Sequence, residues 1–251
     1  MDNFKQYSQY YDLLYQDKKY KAEADYVYNS LKSINSELLT VLELGCGSGN
    51  HATFLVANGM KITGLDRSET MVDEAKSKNI PNFSPIKADV THFKLNQTFD
   101  AAISLFHVMS YLTDNKSLIN CLKSVYDHLK PGGLFLFDVW FTPAVYSQKP
   151  ETRIKRLEDN RISIVRIAES VCDVSKNIVN VNFEVLIKDK VTNQLDIIKE
   201  VHPMRHFSIP ELELLAKITG FELVKTEEFL TQEMPSEKTW AICVLFKKKL
   251  N

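Results

Sequence analysis

The chain has 251 residues, 44% hydrophobic and 25% charged, with eight glycines and eight prolines; this is the profile of one large folded domain, or one with a sizeable insertion, and leaves no low-complexity or linker segment. Lys plus Arg (31) nearly cancels Asp plus Glu (32), so no long-range field recruits nucleic acid or an anionic membrane, and a ligand has to be recognised locally. Cys46, Cys121, Cys172 and Cys243 lie far apart, with no C-x-x-C pair and no His at metal-ligand spacing, which argues against a zinc site and a disulfide framework and fits a reducing cytoplasm.

The N-terminus is rich in Tyr, Asp and Lys and lacks the apolar stretch of a signal peptide, and no run approaches the ~18 apolar residues of a membrane span. From residue 40 to 141 short apolar runs alternate with helical patterns, predicting βαβ units and a parallel sheet. The predicted strands are 40–44, 61–65, 83–88, 101–106 and 134–139. Between the last two, Leu118, Leu122, Val125 and Leu129 fall on one face of a helix that Lys130-Pro131-Gly132-Gly133 stops. After Phe141 the pattern changes. Three extended segments lie between about Arg161 and Phe207, the clearest with Val179, Val181, Phe183, Val185 and Ile187 on one face and Asn180, Asn182 and Glu184 on the other. They predict a small antiparallel sheet inserted after the fifth parallel strand. Ser208-Ile209-Pro210-Glu211 reads as a capping box opening a helix that ends at Gly220, and strands at 221–229 and 239–246 close the chain.

The expected fold is therefore α/β, a doubly wound Rossmann-like sheet with an inserted antiparallel β-sheet. Residues 1–141 would form the α/β core with an N-terminal helical cover, 142–207 the inserted antiparallel subdomain, and 208–251 the helix and hairpin that complete the core.

The sharpest chemical signal is Val41-Leu42-Glu43-Leu44-Gly45-Cys46-Gly47-Ser48-Gly49-Asn50-His51, an apolar strand running into glycines that open a helix. Glycines there let the backbone approach a ligand at the carboxyl end of the first strand. A dinucleotide fingerprint would need its third glycine at position 50, which is Asn. Glu43 would gain a pyrophosphate nothing, whereas a cationic amino-acid moiety is attracted to it. Asp66 ends the second strand, where an acid accepts hydrogen bonds from both ribose hydroxyls, and Asp89-Val90 follows the third, where a carboxylate can accept from an adenine amine. Three such acids suit an adenosine joined to a cationic amino acid, the make-up of S-adenosylmethionine (SAM).

Taken together, Glu43-x-Gly45-x-Gly47-x-Gly49, Asp66, Asp89 and Leu129-Lys130-Pro131-Gly132-Gly133 resemble the successive motifs of class I SAM-dependent methyltransferases, over roughly residues 41–141. A narrower resemblance covers nearly the whole chain. Tyr11-Asp12-Leu13-Leu14-Tyr15, Lys19-Tyr20-x-x-Glu23-Ala24, Gly49-x-His51, Val139-Trp140-Phe141 and the inserted strands with Arg166 and Arg205-His206-Phe207 are similar to the N-methyltransferases of nucleotide-linked amino deoxysugars.

That resemblance implies SAM as cofactor, with Tyr11 and Tyr20 closing over it and the inserted sheet helping to bind a sugar nucleotide. Arg67, Met71, Val90 and Phe106 join Glu43, Gly45, Gly47, Asp66 and Asp89 as expected cofactor residues. Tyr15, Trp140, Arg166 and Arg205 are expected on the substrate side, the two arginines either on a phosphate or carboxylate or paired with an acid such as Glu184 or Glu200. His107 and Tyr111, after the fourth strand, are the expected catalytic residues, placed to border the acceptor, where a group that receives the amine's proton would help. Tyr111 stands where antibiotic-sugar members often carry His, which leaves the amino sugar and the acceptor atom open. The alternatives are a methyltransferase with an oxygen or carbon acceptor on another small molecule, and a SAM-binding protein without catalysis. A nicotinamide oxidoreductase is disfavoured by Asn50 and Glu43. The partner expected is a small molecule, with no nucleic acid, membrane or metal, for a cytoplasmic monomer or homodimer.

Overall fold

The computed structural model describes Leu14, Tyr15 and residues 17–250; Tyr11 lies outside the described residues. Among the described residues, helix α1 (Tyr20–Lys32) precedes a βαβ series: β1 (Thr40–Leu44), α2 (Asn50–Ala57), β2 (Lys61–Asp66), α3 (Glu69–Ser77), β3 (Phe83–Lys87) and β4 (Phe99–Ser104). A 3₁₀ turn (Val108–Tyr111), α4 (Asn115–His128), β5 (Leu129–Phe141) and α5 (Thr142–Gln148) follow. Then come β6 (Arg153–Glu158), β7 (Ile162–Asp173), β8 (Ile178–Asp189), β9 (Leu195–Phe207), α6 (Ile209–Ile218), β10 (Phe221–Glu228) and β11 (Ala241–Lys248).

The parallel strands run in the order β3-β2-β1-β4-β5, β11 adds antiparallel to β5, and β10 pairs antiparallel with β11. Alternate residues face opposite layers, as a strand's period of two requires. Leu42, Leu44, Ala102, Phe135 and Phe137 pack with Leu118, Leu122 and Val125 of α4 and Leu212 and Leu215 of α6. Val41, Ala101, Ile103, Leu134 and Leu136 pack with Ala24, Val27 and Leu31 of α1 and Ala52 and Leu55 of α2. The sheet is thus covered on both faces, and its strand order reverses between β1 and β4, which is where open α/β sheets bind ligands.

Three expectations change in detail. The inserted sheet has four strands in the order β9-β8-β7-β6, because the edge strand Arg153–Glu158 precedes the segment where extended structure was anticipated. It is also joined to the core, since β9 pairs parallel with the end of β5 at Trp140↔His206 and Phe141↔Phe207. Leu129 already belongs to β5, so the helix stop comes before Lys130-Pro131. Finally, no capping box forms at α6: Ser208 makes no side-chain cap, and Glu211 instead accepts from Arg205 Nη2 at 2.6 Å.

Candidate active site

The loop after β1 is held by two hydrogen bonds to Leu65 O, from Gly45 N at 2.7 Å and Cys46 N at 3.0 Å. Gly45 has φ +70°, and a Cβ there would lie 2.5 Å from Val108 Cγ2. At Gly47, φ +52°, a Cβ would meet no protein atom within 4 Å, so this glycine keeps open a space on the cleft wall. Gly49, at φ +82°, caps α2 in the left-handed region.

A cleft of about 640 Å³ opens above this loop. On the cofactor side it is lined by Tyr20, Gly45, Gly47, Asp66, Arg67, Met71, Asp89, Val90 and Phe106, and on the other by Tyr15, His107, Tyr111, Trp140 and Arg166. Asp66 accepts from Gly47 N at 2.9 Å and from Ser68 N at 2.8 Å. Burial outweighs these bonds and raises its pKa. Asp89 is exposed; burial pushes against ionisation, but hydrogen bonds from Thr91 N and Oγ1, at 2.8 and 2.7 Å, bring its pKa below the ordinary value.

Two expected site residues lie elsewhere. Glu43 is sealed beneath the loop at 1% exposure and does not line the cleft; its Oε1 lies 4.0 Å from His51 Nδ1. Burial and the neighbouring Asp66 charge push its pKa up to about 8, and its Oε2 has no hydrogen-bond partner. Arg205 is also outside the lining. It pairs with Glu211 and stacks on the Phe207 ring at 5.3 Å, so the acid that holds it is neither Glu184 nor Glu200.

The fit to a cationic adenosyl cofactor can be judged from these atoms. Asp66, an acid raised by burial, the orphaned Ser48 Oγ on the cleft wall and the space kept by Gly47 are what a ligand bearing an ammonium group and ribose hydroxyls would complete, with the Glu43 carboxyl buried behind the loop. Their chemistry fits SAM. The cofactor side is also tied to α1: Glu23 bonds His51 Nε2 at 2.7 Å and Lys18, whose ammonium sits 4.2 Å from the Phe106 ring centroid.

On the acceptor side the chain turns sharply after β4, with Phe106 at φ +64° and His107 at φ +62°. Sequence reasoning missed what holds this turn. Asp138 on β5, 1% exposed, accepts from His107 N at 3.0 Å and lies 2.7 Å from His107 Nδ1. Burial works to raise its pKa, but the imidazole's charge and hydrogen bonds bring it below the ordinary value. An acid buried in the apolar run Phe135–Val139 was the available signal. Arg166 Nη1 donates to Tyr15 Oη at 3.3 Å and its guanidinium stacks 5.1 Å from the Phe183 ring, while Trp140 packs on Trp240 with ring centroids 5.3 Å apart. The inserted strands contribute His202 and Met204 to the same cleft.

A parallel sheet of this order, with a glycine loop at its switch point and two acids from the neighbouring strand ends lining the cleft, is the architecture found in class I SAM-dependent methyltransferases. Comparison with known proteins agrees: residues 41–133 match the family model of a methyltransferase domain. Among curated proteins it is 26% identical over 215 residues to dTDP-3-amino-3,4,6-trideoxy-alpha-D-glucopyranose N,N-dimethyltransferase of Streptomyces venezuelae, covering 85% of this chain and 89% of that one. Among solved structures, a SAM-dependent methyltransferase from Clostridium acetobutylicum superposes with a TM-score of 0.80 over 96% of both chains at 22% identity. The sugar N-methyltransferase KedS8 from Streptoalloteichus gives 0.81 over 95% of this chain and 92% of its own, at 21% identity. No helix among the described residues is long and apolar enough to cross a membrane.

Proposed function

We propose that the protein methylates the amino group of a nucleotide-linked amino sugar, with SAM as methyl donor. The observation that carries this reading is a single cleft whose acidic end, at Asp66 and Asp89, is continuous with an end lined by Trp140, Arg166 and Phe183 from β5 and the inserted sheet. A guanidinium between aromatic faces is suited to a phosphate or carboxylate, and the relatives named for amino-sugar methylation support the acceptor class. On this reading residues 1–141 hold the cofactor, 142–207 the substrate, and 208–251 complete the core.

Bound SAM supplies a methyl carbon made electrophilic by its sulfonium. Glu43 and Asp66 would favour the cationic amino-acid and ribose parts, and Asp89 the adenine amine. Tyr20, Arg67, Met71, Val90 and Phe106 would enclose it, as would Tyr11 from outside the described residues. Tyr15, Trp140 and Arg166 would fix the substrate; holding reactants in line at near-attack distance is worth effective molarities of order 10⁵ M or more. A neutral amine then needs little further activation, and proton removal by a positioned group adds ~10²-fold. His107 and Tyr111 border the acceptor.

One observation favours a second reading. The Asp138–His107 pair orients an imidazole as an oxygen acceptor would require, so a hydroxyl-bearing small molecule is the competing substrate class. Mass spectrometry of nucleotide-linked 3-amino and 4-amino sugars incubated with protein and SAM decides between them. A gain of one or two methyl masses supports the amino-sugar reading; no gain on any of them, with cofactor binding intact, overturns it.

A further inference from the structure

The inserted sheet brings a second imidazole to the cleft that the reading above leaves without a task. His202, 3% exposed on β9, stands between two partners: its Nε2 is 2.9 Å from Glu200 Oε2, and its Nδ1 is 2.9 Å from Tyr111 Oη. The side chains of His202 and Glu200 are 4% and 7% exposed, so water does not screen the pair. A carboxylate only accepts hydrogen bonds, which fixes the proton of a neutral imidazole on Nε2 and makes Nδ1 the acceptor. The Tyr111 hydroxyl must then donate to His202, and Tyr111 lines the cleft. The same order of groups, a carboxylate orienting an imidazole that withdraws a hydroxyl proton, is the general device for activating or deprotonating a group beyond the hydroxyl.

We propose that Glu200 and His202 act through Tyr111 as a relay that takes the proton from the substrate's amine. This rests on the amine-acceptor reading. In the step, an ammonium N–H proton passes to Tyr111 Oη as the Tyr111 hydroxyl proton passes to His202 Nδ1. The nitrogen keeps its electron pair for attack on the methyl carbon, the imidazolium is held by Glu200, and its proton leaves by the same path after turnover. Tyr111 is the catalytic residue; His202 and Glu200 are positioning residues. Among the described residues, the charged and titratable groups around them include Tyr15 and Arg67, which bear on Tyr111, and Arg166, stacked on the Phe183 ring that meets His202 edge-on at 4.9 Å. Burial and the Tyr15 neighbour keep the Tyr111 phenol protonated well above the ordinary range, so it works as a conduit and not as a stored phenolate.

Two measurements on the full chain test this. In long-range ¹H–¹⁵N spectra of the ligand-free protein, with His202→Gln supplying the assignment, His202 should be the Nε2–H tautomer, and Tyr111→Phe should shift its Nδ1 signal towards that of an imidazole nitrogen without a donor. An Nδ1–H tautomer overturns the relay. In kinetics, Glu200→Gln and His202→Gln should leave SAM affinity within twofold while lowering kcat at neutral pH by ~10²-fold on dTDP-3-amino-3,4,6-trideoxy-α-D-glucopyranose. The deficit should shrink to a few-fold on the same sugar nucleotide carrying an alkoxyamine, which is already neutral. Combining either change with Tyr111→Phe should cost no more than Tyr111→Phe alone, because the three act as a unit. Equal deficits on both compounds, or additive losses, overturn the relay. If the wild type binds SAM but methylates neither compound, the amino-sugar reading fails instead, and the tautomer spectrum alone judges the hydrogen-bond chain.

Discussion

Replacing Glu43 with glutamine separates what the carboxylate does for the ligand from what it costs the fold. Its pKa rises from an ordinary 4.5 to about 8 because it is buried beside Asp66. The folded protein therefore holds this proton more tightly than the unfolded chain does. From pH 4.5 to 8 the folded state carries the extra proton, and stability falls as pH rises through that window. At ~1.4 kcal/mol for each pH step of one across the window, the accumulated loss at pH 7 is about 3 kcal/mol. Glutamine has no proton to lose and escapes the decline.

The cost of placing an amide beside Asp66 and His51 sets the offset between the two proteins, so the slope carries the test. Relative to pH 4, the Tm of Glu43→Gln should gain roughly 6–12 °C over wild type by pH 7, at 2–4 °C per kcal/mol for a chain of this size. Scanning calorimetry of the ligand-free proteins from pH 4 to 8 reads this directly, and a Tm difference that stays flat refutes the reasoning. Titration with SAM supplies the other half. A cation bound above the loop favours the ionised carboxylate, so wild type should release protons on binding SAM at pH 7. The variant should release fewer and bind at least ~10-fold more weakly, a loss of about 1.4 kcal/mol.

Gly45→Ala and Gly47→Ala should part company. The first drives a Cβ to 2.5 Å from Val108 Cγ2 at φ +70° and should cost ~2 kcal/mol or more of stability in chemical denaturation, whereas the second meets no protein atom and should cost ~1 kcal/mol while raising the SAM Kd at least ~10-fold. Asp138→Asn keeps an acceptor for His107 N but sets an amide against Nδ1; a ~3 kcal/mol loss of stability and a fall in kcat greater than the change in SAM Kd are expected from melts and initial rates. Arg205→Ala should lower Tm by several degrees, through loss of the Glu211 pair and the Phe207 stack, and leave substrate KM within twofold.

The parts of the fold that were legible in the sequence are those where one residue type meets one backbone demand. Glycines 45, 47 and 49 all take positive φ, and the alternation of β8 from Val179 to Ile187 matches its burial. Misreadings trace to residues with two possible partners. Glu211 satisfies a capping pattern by spacing, but Arg205, six residues earlier, takes its carboxylate; one ion pair thus removed both a cap and a substrate-binding arginine from the expected set. Strand β6 left no trace because Arg-Ile-Lys-Arg-Leu-Glu has no apolar face to bury; Lys155 and Leu157 alone are half-buried. Glu200 and His202 were hidden for the opposite reason. They share the inward face of β9 with Ile198 and Met204, where a polar pair two residues apart signals a satisfied network only once its cross-strand neighbours are known.

The turn from Phe106 to Tyr111 explains why these networks converge. Two consecutive non-glycine residues in the left-handed region cost of order 1–3 kcal/mol each, and they persist only where the surroundings over-determine them. Asp138 grips His107 at both backbone and ring, Tyr15 meets the Phe106 ring edge-on at 5.0 Å, Val108 fills the space that Gly45 vacates, and His202 holds Tyr111. The cofactor loop, the N-terminal segment, β5 and the inserted sheet therefore each fasten one side chain of the same six residues. Because the strain is offset only while these clamps hold together, a change at the inserted sheet that loosens Tyr111, as His202→Ala would and the hydrogen-bonding His202→Gln would not, also loosens Val108 against Gly45. The two ends of the cleft share one turn, and acceptor specificity cannot be altered by releasing that turn without a measurable change in cofactor affinity.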